Sequence, residues 1–123
     1  MADWATAVVD IEKFRDYSMN PEHPKNGGKH LAFEALGYVL AKPCDRERAA
    51  RAVIEQLLNA VQRGQTPTQR DSQWGVRYDT ATVIKGPNGR CGTLRAAWQE
   101  EPGSVAPRLI TNWLELHKEE QEP

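Results

Sequence analysis

The feature that most restricts how this chain folds is a change of hydrophobic period partway along it. Ala50, Val53, Ile54, Leu57, Leu58 and Val61 recur at three- and four-residue steps, the stripe of a helix that buries one side. Beyond Trp74 the period shortens. Val76 to Lys85 and Arg90 to Gln99 are rich in Val, Thr, Tyr and Trp. They are joined through Pro87-Asn88-Gly89, and an Asn-Gly pair readily takes the positive φ of a tight hairpin. Helices followed by strands predict an α+β fold, with N-terminal helices packed on one face of a small C-terminal antiparallel sheet.

The flanking segments fill in this outline. Residues 1–123 suit a single domain, divided into a lead over 1–9, a helical half over 10–64, a sheet half over 74–116 and an acidic tail over 117–123 that frays. Ile11 to Met19 reads as a short helix capped by Asp10, with Ile11, Phe14, Tyr17 and Ser18 on one side, and Asn20-Pro21 ends it. A second helix spans Lys29 to Leu36 and stops at Gly37; the long helix follows, capped by Asp45 and closed by Gly64. Gln65 to Gln73 is polar, contains Pro67 and reads as a surface connection. Arg108 to Leu116 fits two readings, a third strand or a strand passing into a terminal helix.

A two-residue Asn88-Gly89 loop makes facing residue numbers sum to 177. Val83 then lies opposite Leu94, Ala81 opposite Ala96 and Asp79 opposite Trp98. In that register Ala81, Val83, Leu94, Ala96 and Trp98 face the long helix, while Tyr78, Thr80, Thr82, Thr93, Arg95 and Gln99 form an open polar face.

Charge and composition exclude several classes. No apolar run approaches the roughly 20 residues that span a bilayer, and Met1-Ala2-Asp3-Trp4-Ala5 lacks the basic start of a secretory signal, which points to the cytoplasm and to no membrane partner. Cys44 and Cys91 have no His or Cys at metal-ligand spacing and read as small buried residues; no metal and no cofactor is expected. The formal charge of −1 conceals an uneven distribution. Residues 65–99 carry five basic side chains, Arg70, Arg77, Lys85, Arg90 and Arg95, against two acidic ones, whereas Glu115, Glu119, Glu120 and Glu122 make the end acidic.

The segment densest in reactive side chains is Asn20 to His30, with two prolines, two glycines, two histidines and two lysines. Gly27 and Gly28 ahead of a helix let a phosphate approach the backbone, with Lys29 as a mobile cation; the Walker spacing is absent. His23 suits proton transfer or, equally, fixing the loop by a hydrogen bond. His30 lies on the first helical turn and His117 near the exposed tail; the three histidines form no metal motif.

Phe14-x-x-Tyr17-x-x-Asn20-x-x-His23-Pro24, then Gly28-Lys29, Phe33 and Leu36-Gly37, resembles the leading motif of a family of short uncharacterised bacterial domains. Gly75-Val-Arg-Tyr78, Gly86-Pro-Asn-Gly-Arg90, Trp98 and Pro107-Arg-Leu-Ile-Thr111 resemble its second half. The resemblance implies toxin-type bacterial loci and a layout similar to barnase, EndoU, colicin and RelE-like ribonucleases. It further implies metal-independent RNA cleavage carried by His23, Lys29, Arg77, Arg108 and Thr111; phosphate would be held by Gly27 and Gly28 of the glycine loop and by Arg90 and Arg95 of the basic hairpin, as their own chemistry suggests. His30 after the lysine and the acidic extension after Trp113 depart from the family pattern. The alternative reading is a non-enzymatic interaction domain that binds a cognate protein in such a locus.

Overall fold

The computed structural model describes residues 2–73, 75–100 and 103–117, so Trp74 and the tail from Lys118 lie outside the described residues. Two α-helices, α1 (Lys29–Ala35) and α2 (Pro43–Gln62), precede strands β1 (Thr68–Ser72), β2 (Gly75–Lys85), β3 (Cys91–Glu100) and β4 (Pro107–Leu116). The strands form one antiparallel sheet in the order β1-β2-β3-β4, the α+β layout expected. Buried Phe14, Phe33, Leu36, Val53, Leu57 and Val61 from the helical half pack in one core with Ile84, Leu94, Trp98 and Leu109 from the sheet. Fully burying an aliphatic side chain of this kind is worth about 1.5–3 kcal/mol.

Three elements differ from expectation. Gln65 to Gln73 is not all connection, because Thr68–Ser72 adds a strand antiparallel to β2. Its composition, Thr-Gln-Arg-Asp-Ser, has no apolar alternation; it is an edge strand held by backbone pairing and by an Arg70–Asp79 ion pair across to β2. The Ile11–Met19 segment contains a π-helical turn at Phe14–Ser18, in which the Met19 amide reaches back to Phe14 at 2.8 Å; it buries Phe14, Ser18 and Met19 and leaves Tyr17 half-exposed. Asp10 has a different duty from capping, since its carboxylate accepts from Arg108 Nη1 at 2.9 Å. Helix α2 starts two residues before Asp45, with Pro43 in its first turn, where a missing N–H costs nothing. Arg108 to Leu116 is strand throughout. Cys44 is exposed and Cys91 half-buried, so neither is the buried thiol expected.

The hairpin is the largest correction. Paired residues sum to 176: Tyr78 faces Trp98, Thr82 faces Leu94 and Val83 faces Thr93. Among the described residues only glycines have positive φ, so Asn88 cannot complete the two-residue turn that needs positive φ at both positions. The chain instead turns over Gly86-Pro87-Asn88-Gly89, with the Gly89 amide bonded to Gly86 O at 3.0 Å, Gly86 N to Arg90 O at 2.9 Å, and Gly89 at φ +85°. A three-residue loop shifts the register by one, and a one-residue shift reverses every side chain of β2. Tyr78, Thr80, Thr82 and Ile84 point into the core, and Ala81 and Val83 point out; the faces expected for β3 are correct.

The Tyr78, Thr80 and Thr82 side chains that β2 turns into the core are each hydrogen-bonded, which is why the core accepts them. Thr80 Oγ1 accepts from Trp98 Nε1 at 2.9 Å, Thr82 Oγ1 donates to Gln65 Oε1 at 2.7 Å, and the Tyr78 hydroxyl donates to Glu100 at 2.9 Å. Where β2 runs past the end of β1, glutamines cover its open edge. Gln56 accepts from Lys85 N at 2.9 Å and donates to Lys85 O at 3.1 Å, and Gln65 donates to Ala81 O.

Candidate functional site

The loop between the π turn and α1 is organised by Asn26, which is 2% exposed. Its Nδ2 donates to Tyr17 O at 2.8 Å and Ser18 O at 3.1 Å, while its Oδ1 accepts from Gly28 N at 3.1 Å and His30 Nδ1 at 2.7 Å. The Lys29 amide donates to Asn26 O at 3.0 Å. Gly27 and Gly28 do take the positive φ that suits glycine, 58° and 87°, but the Gly28 and Lys29 amides face Asn26 inside the loop. His30 is tied into the same network.

Tyr17 gathers the reactive side chains. The Lys29 ammonium hydrogen-bonds its hydroxyl, and the His23 ring stands edge-on to its ring, centroids 5.0 Å apart. Lys29 lowers the phenol's pKa through that hydrogen bond, against the opposing effect of burial; the Lys29 charge, a hydrogen bond from Thr111 and the Lys25 charge add to the lowering. Thr111 reaches this position because β4 carries a bulge: Trp98 faces Leu109 and Ala97 faces Thr111, leaving Ile110 as the extra residue. Bulges re-aim side chains, and this one turns Thr111 toward the π turn. Between the two lies a cleft of about 570 Å³ lined by Glu12, Lys13, Tyr17, His23, Lys25 and Thr111.

His23 is more constrained than its sequence context suggests. Its Nδ1 accepts the Lys25 amide at 3.0 Å, so the neutral ring carries its proton on Nε2 and acts as a donor there. The turn that holds this loop therefore also selects the tautomer.

The expected arginines spread across the sheet. Arg70, Arg77, Gln99 and Arg108 are register neighbours in one row on the face away from the helices. Arg70 is bound by Asp79 at 2.6 Å, and Arg108, three residues from Thr111, by Asp10 at 2.9 Å. Arg95 lies mid-sheet beside Glu115 at 3.3 Å, in an open hollow of about 480 Å³ that it shares with Trp113. Arg90 follows the hairpin turn; at ~3.3 Å per residue it is about 30 Å along β3 from the Gln99 row. His23, Lys29 and Thr111 thus converge, Arg108 adjoins them, and Arg77, Arg90 and Arg95 stand apart. Sequence reasoning missed the parts of Tyr17 and Asn26; Asn26 lies in the dense segment and Tyr17 just ahead of it, but the bonds that tie Asn26 to Tyr17 O and Ser18 O, and Lys29 to the Tyr17 hydroxyl, cross eight to twelve residues.

Residues 1–115 match the family described as Domain of unknown function (DUF6883). The chain belongs to that family. No curated protein matches it. Among solved structures, a chain from a contact-dependent growth inhibition toxin–immunity protein complex of Klebsiella pneumoniae 342 shares the fold, with TM-score 0.69 and 16% identity over 89% of this chain and 100% of the other. No helix among the described residues is long and apolar enough to cross a membrane.

Proposed function

We propose that this member of the DUF6883 family is a toxin-type domain that cleaves RNA without a metal ion, acting in the cytoplasm. The observation that carries the reading is the convergence of His23, Lys29 and Thr111 around one phenol at the mouth of a cleft. Cleavage of this class needs a proton acceptor for the 2′-hydroxyl and fixed positive charge and donors around the phosphate. His23 Nε2–H and the lysines of the cleft supply donors, and Arg108, on the same strand as Thr111, supplies a further cation. Further support comes from the shared fold with a chain of a toxin–immunity complex.

The test is incubation of the purified protein with tRNA, rRNA and mRNA in the presence of chelator. Cleavage that disappears in a His23→Ala, Lys29→Ala double variant supports the reading; no cleavage by the wild type, or equal cleavage by the variant, removes it.

Binding of a cognate protein is the second reading, favoured by the uncovered face of the sheet. Val83 is 61% and Trp113 40% exposed there, beside the Arg95–Glu115 pair. Apolar anchors amid paired charges suit a protein surface. A partner that co-purifies in stoichiometric amounts supports this reading.

A further inference from the structure

We propose that Tyr17, as its phenolate, is the proton acceptor of the cleft. This rests on the RNA-cleavage reading. Three kinds of group in the cleft can take a proton: the His23 imidazole, the Glu12 and Asp16 carboxylates, and the Tyr17 phenol. His23 is excluded in this arrangement, because its Nδ1 lone pair holds the Lys25 amide and its Nε2 already carries the proton. Asp16 is engaged through both oxygens by Arg15, at 3.0 and 2.9 Å, which holds its carboxyl below the usual range and makes it a poor base. Glu12 is exposed on the solvent side of the π turn.

Tyr17 alone is built for the role from several elements. Lys29 of α1 bonds its hydroxyl, Thr111 of β4 lines the same cleft and lowers its pKa, and Lys25 and His23 of the loop stand beside it. From its own segment Glu12, Lys13 and Asp16 line the same cleft. The ammonium and the hydroxyl stabilise the anion, and the half-exposed Tyr17 side chain lines the cleft where a substrate would enter.

In the step that follows, the Tyr17 phenolate takes the 2′-hydroxyl proton as the 2′-oxygen bonds to the adjacent phosphorus. The bond from phosphorus to the 5′-oxygen breaks with its electron pair on that oxygen, which takes a proton from water. The hydroxide left behind recovers the proton from Tyr17. The products are a 2′,3′-cyclic phosphate and a 5′-hydroxyl, and no oxidant or reductant is consumed. His23 Nε2–H donates to a phosphate oxygen throughout, as a positioning group.

The test is the pH–rate profile for cleavage of a short RNA by the wild type and by Tyr17→Phe, Lys29→Met, Glu12→Gln and His23→Ala, with tyrosinate ultraviolet absorbance titrated in parallel. Tyr17→Phe should lower kcat by about 100-fold or more, the range of a lost general base. Lys29→Met should move both the rising limb of the profile and the Tyr17 titration to higher pH. Circular dichroism of Tyr17→Phe, which loses one oxygen, checks its fold, and Lys29→Met keeps the test decisive if that check fails. An unchanged rate and profile for Tyr17→Phe beside an inactive His23→Ala overturns the assignment and leaves the RNA reading standing. Loss of the rising limb in Glu12→Gln alone overturns it in favour of the carboxylate. A wild type that cleaves no RNA overturns both.

Discussion

Replacing Gly86 by alanine tests the contact that sets the hairpin against the helices. A Cβ on Gly86 would lie 2.8 Å from the Leu36 carbonyl carbon and closer still to its oxygen, and both are backbone atoms that cannot swing aside. To relieve the overlap the loop must lift off the end of α1. Lifting stretches the bond from Asn88 N to Leu36 O, now 3.2 Å, and that from Asn88 Nδ2 to Ala35 O, now 3.0 Å. Two such bonds are worth about 1 kcal/mol each, and overpacking adds about 1–3 kcal/mol, giving a loss of about 3–5 kcal/mol. For a chain of this size that lowers Tm by roughly 10–20 °C. Gly89→Ala is the control three residues away: at φ +85° with nothing within 4 Å of the added Cβ, it bears only the left-handed penalty of about 1–2 kcal/mol. Urea unfolding followed by tryptophan fluorescence measures both. If Gly86→Ala costs no more than Gly89→Ala, the docking argument is wrong.

Two further expectations concern stability. Val83→Thr should change unfolding free energy by no more than about 0.5 kcal/mol, because Val83 points outward, while Ile84→Ala should cost about 2–5 kcal/mol; urea midpoints in the reverse order would restore the 177 register. Burial raises the pKa of Tyr38 and of Tyr78 above the unfolded value of 10.0, and Glu100 raises Tyr78 further. The native state therefore keeps those protons after the unfolded chain has lost them, and stability falls as pH rises above about 10. Tyr78→Phe should flatten that fall in urea midpoints measured across the alkaline range.

The order of elements was legible because α2 and β3 carry strong, uninterrupted patterns. The register of β2 was not, and the cause is specific. Alternation in Tyr78-Asp79-Thr80-Ala81-Thr82-Val83 points the apolar Ala81 and Val83 inward if polarity alone is counted. The core takes the tyrosine and threonines instead because Trp98, Gln65 and Glu100 offer them partners, and such pairings join residues 17 to 22 positions apart. Turn type decided the matter, and it depended on Leu36 and Ala35, which hold Asn88 from across the molecule. Strand β1 was hidden for the opposite reason, since an edge strand exposed on its outer side needs no apolar residues at all. At the site, His23 and Lys29 were visible from local density and Thr111 through the family resemblance, whereas the part of Tyr17 required knowing that β4, with its bulge at Ile110, lies against the π turn.

The near-zero net charge, which argues at first against a polyanionic substrate, takes a different meaning from the pairing on the sheet. With neighbouring strands about 4.8 Å apart, the row from Arg70 to Arg108 spans roughly 14 Å and ends beside Thr111. Its two end arginines are bound by Asp79 and Asp10 in the free protein. A phosphate arriving there exchanges one anion for another, so the gain in attraction is small and the guanidinium groups are already oriented. Such a surface binds weakly and without strong salt dependence compared with an unpaired basic patch. Under the RNA reading, rate would then come from geometry at Tyr17, Lys29 and His23 rather than from accumulated affinity, which is compatible with a formal charge of −1.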